Sequence, residues 1–208
     1  MRLFSFIFFI LFFQNHSYSQ IQAGAKYLKL SGGRVIFGSG DIGGFGVYIE
    51  GSGNPFKKNK YLAEHLQVGA ELYFENGVKN PKVENPTGDE FSRSDFNHIS
   101  LTGLNIKSTF YPFRKFIKGL NVSLGAGAAY YYFSYEGAAV REVYTPTLSR
   151  RMSELRFENK FVLGYRISAG YDVFMLKGVF LAGIRLDFVN FNNGDFNSLA
   201  AAKIGYRF

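Results

Sequence analysis

His98 and Ser100, two positions apart, are the nearest approach to a catalytic pair in this sequence. A histidine can take the proton of a serine hydroxyl, and residues two apart lie on the same face of a β-strand. A carboxylate would have to orient the histidine, and Glu75 or Glu136 could supply it from a neighbouring strand. Any histidine and serine so spaced at the end of a strand would qualify. The sequence therefore predicts no catalytic residues, and neither a metal site nor a bound cofactor.

The segments that would position these side chains alternate with a period of two. Between residues 65 and 74, for example, Leu66, Val68, Leu72 and Phe74 alternate with residues that are mostly polar or glycine. Similar alternation occurs near residues 21–30, 45–50, 104–110, 120–130, 160–172, 180–188 and 200–208, which makes eight segments. After the amino-terminal segment no apolar run is long enough for a membrane helix. The pattern predicts an all-β fold, an eight-stranded antiparallel up-and-down transmembrane β-barrel with its apolar face towards lipid.

Charged residues occupy the inward positions of these predicted strands. In an eight-stranded barrel the interior is just wide enough for side chains to fill it. Opposite charges there should pair, because an unpaired buried charge is costly. We therefore predict a lumen ion-pair network that plugs the barrel, formed by Glu50, Glu71, Lys107, Glu158, Lys160, Arg166, Asp172, Arg185, Asp187, Lys203 and Arg207. A water-soluble eight-stranded barrel, the alternative, would have an apolar interior.

The amino terminus has the features of a secretory signal peptide. Arg2 precedes an apolar run from Leu3 to Phe13, and small residues at Ser17 and Ser19 suit a peptidase. We expect residues 1–19 to be removed and residues 20–208 to form the barrel domain. The chain contains no cysteine, which excludes disulfides, thiolate metal sites and a lipid-modified cysteine.

The connections and aromatic residues predict how the barrel is oriented. Long polar segments at 76–97 and 136–153 suit outer loops, whereas short segments at 54–60, 112–118 and 174–178 suit inner turns. The glycines between 38 and 43 suit an outer turn. Aromatic girdles are expected at both membrane interfaces. The outer girdle would contain Tyr130, Tyr131, Tyr132 and Phe133, and the inner one Phe110, Tyr111, Phe113, Phe116, Tyr171 and Phe174.

The net charge of +8 raises the question of an anionic partner. The cations are spread along the chain without a basic stripe interleaved with aromatics, so nucleic acid is not expected as a partner. Phosphate at a membrane surface is a better match. Arg141, Arg150 and Arg151 in the segment 136–153 could contact lipopolysaccharide phosphates.

The last predicted strand carries the most specific motif. Ile204, Tyr206 and Phe208 place apolar or aromatic residues at every second position up to a final phenylalanine. This strand is similar to the carboxy-terminal signal that the outer-membrane assembly machinery reads. The chain resembles small eight-stranded outer-membrane barrels of the OmpA/OmpX type, in the variety common in Bacteroidetes. The resemblance implies a porin-like, membrane-spanning protein in the cell outer membrane of a Gram-negative envelope.

The resemblance leaves three functional classes open. A structural or interaction role is expected, either stabilising the membrane or docking a protein partner through the outer loops. His98 and Ser100 are similar to the pair found in outer-membrane lipid A deacylase barrels, so a lipid-modifying enzyme is one alternative. A narrow pore or a subunit of a secretion machine is the other.

Overall fold

A computed structural model of the chain shows one closed antiparallel β-barrel of eight strands. It describes residues 24–38, 42–56, 58–79, 97–113, 119–145, 148–176 and 178–208, with side chains at 136–155 outside the description. The strands are β1 (Lys26–Phe37), β2 (Ile42–Gly53), β3 (Leu66–Lys79), β4 (Asn97–Phe110), β5 (Leu120–Thr145), β6 (Leu148–Met175), β7 (Phe180–Phe191) and β8 (Phe196–Arg207). Each strand pairs with the next, and β8 pairs with β1, which confirms the predicted fold class.

The alternation of the sequence sets the two faces of the sheet. In β3, Leu72 and Phe74 are exposed on the outside, whereas Glu71 and Tyr73 are buried in the interior. The same arrangement holds in β6, where Phe161 and Leu163 are 80% and 63% exposed and Arg166 is 3% exposed. Large apolar side chains facing outward are stable only against lipid, and a closed sheet leaves no unpaired edge there. No helix in the described part of the chain is long and apolar enough to cross a bilayer.

The first strand begins later than the sequence predicts. The expected strand near 21–30 overlaps only the first part of β1, which continues to Phe37. The sequence left open whether Tyr27 or Leu28 faces outward. Leu28 and Leu30 do so, and the next outward positions are Gly32 and Arg34. A glycine and a charge at these positions end the apolar alternation, although the backbone pairing with β2 and β8 continues.

The inner connection between β2 and β3 is not a simple turn. It contains a short helix, α1 (Lys60–His65), whose amino terminus is capped by Asn59 accepting a 3.1 Å hydrogen bond from the Leu62 amide. His65, predicted in the strand, ends this helix. Its ring is buried between Tyr61 and Phe110, at 4.4 and 5.9 Å between ring centres. The aromatic stack explains why the histidine leaves the strand.

The prediction of an outer loop at 136–153 is wrong, because β5 and β6 continue as paired strands through this segment. β5 runs to Thr145 and β6 starts at Leu148, with one irregularity in register between Gly137 and Arg141. Val140, Val143, Tyr144 and Thr145 favour extended backbone, and this local preference continues the hairpin. Of the other predicted loop, at 76–97, residues 76–79 belong to β3 and residue 97 to β4. Residues 80–96 and residues 39–41 of the predicted outer turn lie outside the described residues.

Candidate functional site

The middle of the barrel interior holds a network of buried charges. Five basic and five acidic side chains, all at most 6% exposed, fill this layer: Lys29, Lys107, Arg166, Arg185, Lys203, Glu50, Glu71, Glu75, Asp172 and Asp187. Their formal charges cancel. A neutral set of paired ions avoids the large cost of an isolated buried charge.

Glu71 is the centre of this network, because three cations from three other strands converge on it. Its carboxylate lies 3.1 Å from Lys107 Nζ, 2.7 Å from Arg166 Nη1 and 2.5 Å from Arg185 Nη1. Asp187 is the second acceptor for both arginines, at 3.2 Å from Arg166 Nη1 and in direct contact with Arg185. These pairs connect β3, β4, β6 and β7 across the lumen.

Further ion pairs extend the network towards the inner end, defined here as the end that carries Gly24 and Phe208. Glu50 lies between Lys29 and Lys107, at 2.9 and 2.5 Å. Lys203 lies 2.6 Å from Asp172, whose other oxygen accepts a 2.7 Å hydrogen bond from the Tyr111 hydroxyl.

Aromatic rings complete the network towards the opposite, outer end. The guanidinium carbon of Arg166 lies 5.1 Å from the ring centre of Tyr48 and 4.7 Å from that of Tyr73, within the range of cation–π attraction. Glu75 accepts hydrogen bonds from the Tyr48 hydroxyl and the Asn197 amide, each at 2.7 Å. Ring contacts and hydrogen bonds thus hold the buried charged layer at its outer side.

Apolar layers close the lumen on both sides of the charges. Leu101, Val162 and Leu199 belong to a buried cluster at the outer end, together with Val35, Phe37, Ile42, Tyr48, Tyr73, Ile99, Ala129, Tyr131, Val189, Phe191 and Ala201. A smaller cluster of Ala25, Tyr27, Tyr111, Phe174 and Leu181 lies at the inner end. Sequence reasoning missed both layers, although apolar residues at inward positions were a visible signal.

Most of the predicted lumen residues lie in the charged layer, but three do not. Glu158 is exposed at the outer rim, and Lys160 is half-buried there, 5.0 Å from the centre of the Tyr131 ring. Arg207 is half-buried at the inner end. Glu158 and Lys160 have inward parity but lie at the rim, whereas the Arg207 guanidinium reaches the buried Tyr27 below the charged layer. Lys29 and Glu75 were missed, Lys29 because the inward parity of β1 could not be assigned.

The aromatic residues are divided between the two faces. Tyr130 and Tyr132 face outward as a girdle requires, whereas Tyr131 and Phe133 turn into the mouth of the barrel. At the inner end Tyr111 and Phe174 are buried in the lumen rather than in a girdle. Phe113 is exposed, and Phe116 lies outside the described residues. A consecutive aromatic run cannot form a girdle, since adjacent residues of a strand face opposite ways.

His98 and Ser100 lie on the outside of the barrel, with Ile99 and Leu101 inside. His98 Nε2 lies 2.9 Å from Asn76 Nδ2, and its ring meets Tyr132 edge-on at 5.7 Å. Glu75 faces the lumen, so it cannot orient His98. The side chain of Glu136 lies outside the described residues. The described residues contain no group of three potential metal ligands.

The residues of the predicted assembly signal share the outward face of β8. Ile204 and Tyr206 are 61% and 49% exposed there, and Phe208 follows the strand. Their recognition during membrane insertion stays a prediction.

Comparison with known proteins identifies the fold. No protein-family model matches the sequence, and no curated protein matches it significantly. Among solved structures, Ail, the attachment invasion locus protein of Yersinia pestis, aligns with a TM-score of 0.51 at 10% identity, over 90% of this chain and 100% of Ail. Neisserial surface protein A aligns with a TM-score of 0.49 at 11% identity, over 89% of this chain and 99% of that one. A major outer membrane protein from Thermus thermophilus gives 0.49 at 12% identity, over 90% and 100% of the two chains.

The apolar exterior of the closed barrel agrees with the similarity in fold to Ail. A sheet that exposes Leu72, Ile106, Phe161 and Leu163 needs lipid around it. The protein is located in the outer membrane, and its fold is that of the small eight-stranded outer-membrane barrels of the OmpA/OmpX type.

Proposed function

We propose that this protein is a non-catalytic docking protein of the outer membrane that binds extended polypeptide segments through the protruding β5–β6 hairpin. The observation that carries the proposal is the unequal length of the strands. β5 and β6 have 26 and 28 residues, whereas the other strands have 12 to 14.

Within the described part of the chain, the additional residues pair only with each other. β4 reaches no further along β5 than Tyr135, which is opposite Asn97. β7 leaves β6 at Gly164, apart from contacts between Leu163 and Asn192 at 2.8 and 3.1 Å. Residues 136–145 pair with residues 148–155, and the shorter of these segments, with eight residues, extends about 26 Å beyond the last pairing with β4. Among the described residues, no further strand pairs with either edge of this two-stranded ribbon.

Open strand edges favour a particular kind of partner. Their unpaired amide and carbonyl groups can accept a further strand, and main-chain hydrogen bonds then supply much of the affinity. An isolated two-stranded ribbon is at best marginally stable in water, so an added strand would also stabilise it.

The interior supports this role over the two alternatives. The lumen holds a neutral layer of buried charges between two layers of buried apolar side chains, which argues against a pore. The outward pair His98 and Ser100 has an amide neighbour instead of a carboxylate among the described residues, which argues against a hydrolase.

The proposal is tested by shortening the ribbon. Gly137 pairs with Glu154, so replacing residues 138–153 by Asn-Gly closes the hairpin with a two-residue turn that suits this register. Ten-residue peptides are selected by phage display against the wild-type protein in lipid nanodiscs. We expect the selected peptides to lose at least tenfold in affinity for the shortened protein. N-methylation of alternate peptide amides should have the same effect, because it removes the donors.

The control is the same selection against the shortened protein, which should yield peptides insensitive to N-methylation. Equal affinity of the selected peptides for both proteins would contradict the proposal.

A further inference from the structure

A cavity of about 340 Å³ lies at the outer end of the lumen, above the outer apolar layer. This volume is in the range of small-molecule sites, which is roughly 300–1,000 Å³. Leu101, Val162 and Leu199 lie beneath it, each two residues further in than a lining residue of the same strand. The cavity is therefore closed towards the charged layer and faces the outer end. We call it the mouth cavity.

One wall of the mouth cavity is a ladder of aromatic rings. Tyr131, Phe133 and Tyr135 occupy successive inward positions of β5, with ring centres 6.3 and 5.2 Å apart. Tyr131 and Phe133 line the cavity, and Phe37 lines it from β1. Aromatic rings attract cations, and Lys160 Nζ lies 5.0 Å from the centre of the Tyr131 ring. This wall favours a cation over an anion.

The charged groups of the mouth cavity have an excess of negative charge. Glu158, Asp195 and Lys160 line it, so two carboxylates face one ammonium group. The buried charges of the layer below are neutral among themselves and do not offset this excess. A monovalent cation would neutralise the lining, whereas an anion would be repelled. Arg141, Arg150 and Arg151, predicted to contact lipopolysaccharide, have side chains outside the described residues.

Neutral donors hold both carboxylates. The Tyr131 hydroxyl donates a hydrogen bond to Asp195, which also accepts one from the Asn193 amide. The Tyr135 hydroxyl donates to Glu158 at 3.4 Å. Among the described residues, no Lys or Arg nitrogen lies within 4 Å of either carboxylate. The two carboxylates are therefore oriented without being neutralised.

We propose that the mouth cavity binds an organic ammonium ion with an apolar body. Its charge meets the carboxylates of Asp195 and Glu158, and its body covers Phe37, Ile42 and Phe133. Aromatic rings beside carboxylates suit such an ion, because cation–π attraction and ion pairing act on the same charge. A metal ion is a poorer match, since the described residues contain no group of three potential metal ligands.

The test is a titration of the refolded protein in maltoside micelles with benzyltrimethylammonium, followed by saturation-transfer NMR of this probe. We expect Glu158→Gln and Asp195→Asn each to weaken binding about threefold, and the double variant about tenfold. Glu64→Gln is the matched control, because it makes the same change of charge on α1 at the inner end. It should bind the probe like the wild type.

Two further measurements identify the ligand chemistry. Lys160→Gln should strengthen binding about threefold, because it removes a competing cation from the Tyr131 ring. Tetramethylammonium, which lacks the apolar body, should bind more weakly than the probe. Folding of each variant is checked by its heat-dependent migration on gels. Glu158 is exposed, so Glu158→Gln alone carries the test if Asp195→Asn does not fold.

Equal binding of the probe by the wild type and the folded Glu158→Gln variant would overturn the proposal. So would benzoate binding with the affinity of the probe, or complete displacement of the probe by equimolar calcium, since the cavity would then select anions or metal ions.

Discussion

Glu71 shows how single residues determine the interior of this barrel. Its carboxylate is fully buried and contacts Lys107, Arg166 and Arg185, each of which has a second anionic neighbour. The network is therefore continuous, and loss of one member leaves several charges without full compensation.

We predict that Glu71→Gln lowers the free energy of unfolding by about 3–5 kcal/mol, because it leaves excess positive charge in a buried site. Urea unfolding from lipid vesicles, followed by far-ultraviolet circular dichroism, measures the change. Glu158→Gln is the matched control, since this carboxylate has inward parity but is exposed. Equal stability of the two variants would show that the buried network contributes little.

A second residue-scale prediction concerns His98 and Ser100. We expect the double variant His98→Ala, Ser100→Ala to leave the acylation of lipid A unchanged in cells, because a hydrolase would need an orienting carboxylate. Mass spectrometry of extracted lipid A is the measurement. An additional acyl chain in the variant strain would instead identify a deacylase.

At the scale of elements, inward glycines make space for the large interior side chains. A Cβ atom at Gly103 of β4 would lie 2.5 Å from Cζ of Tyr73 and 2.7 Å from the Ala128 carbonyl oxygen. At Gly51 of β2, which faces outward, a Cβ atom meets nothing within 4 Å. Alanine therefore fits at Gly51 without any rearrangement, whereas at Gly103 it clashes with Tyr73 and the backbone of Ala128.

Gly103→Ala is expected to cost about 1–3 kcal/mol of stability, because Tyr73 and the neighbouring backbone must move to accept the methyl group. Gly51→Ala should have little effect. Urea unfolding of both variants in the same vesicles tests this difference, and an equal loss in the two would refute the packing argument.

The sequence predicts which face of a strand a residue occupies, but it predicts neither the length of every strand nor the short helix. Glu71, Lys107, Arg166 and Arg185 lie on the face that alternation assigns to them, because period two assigns a face to every residue of a strand. Alternation could not give the lengths of β5 and β6, since a strand alternates in the same way within the membrane and beyond it. Helix α1 was missed because its six residues depend on the contacts of His65 with Tyr61 and Phe110.

At the scale of the molecule, closure of the sheet and filling of the lumen depend on each other. Parity predicted charges along the whole interior, but the structure confines them to a middle layer between apolar layers. The rim positions of Glu158 and Lys160 follow from this, because barrel height, and not parity, decides which inward residues are enclosed. The parts available to partners are therefore the outer surface and the protruding hairpin.

Buried side chains fill the lumen of the barrel. Single-channel recording of the refolded protein in planar bilayers shows whether ions can pass, with a large porin reconstituted in the same way as a positive control. We predict no stepwise conductance from the wild-type protein, because apolar side chains such as Leu101 and Leu181 close both ends of the charged layer. Reproducible conductance steps from the folded protein would contradict the account and establish a pore.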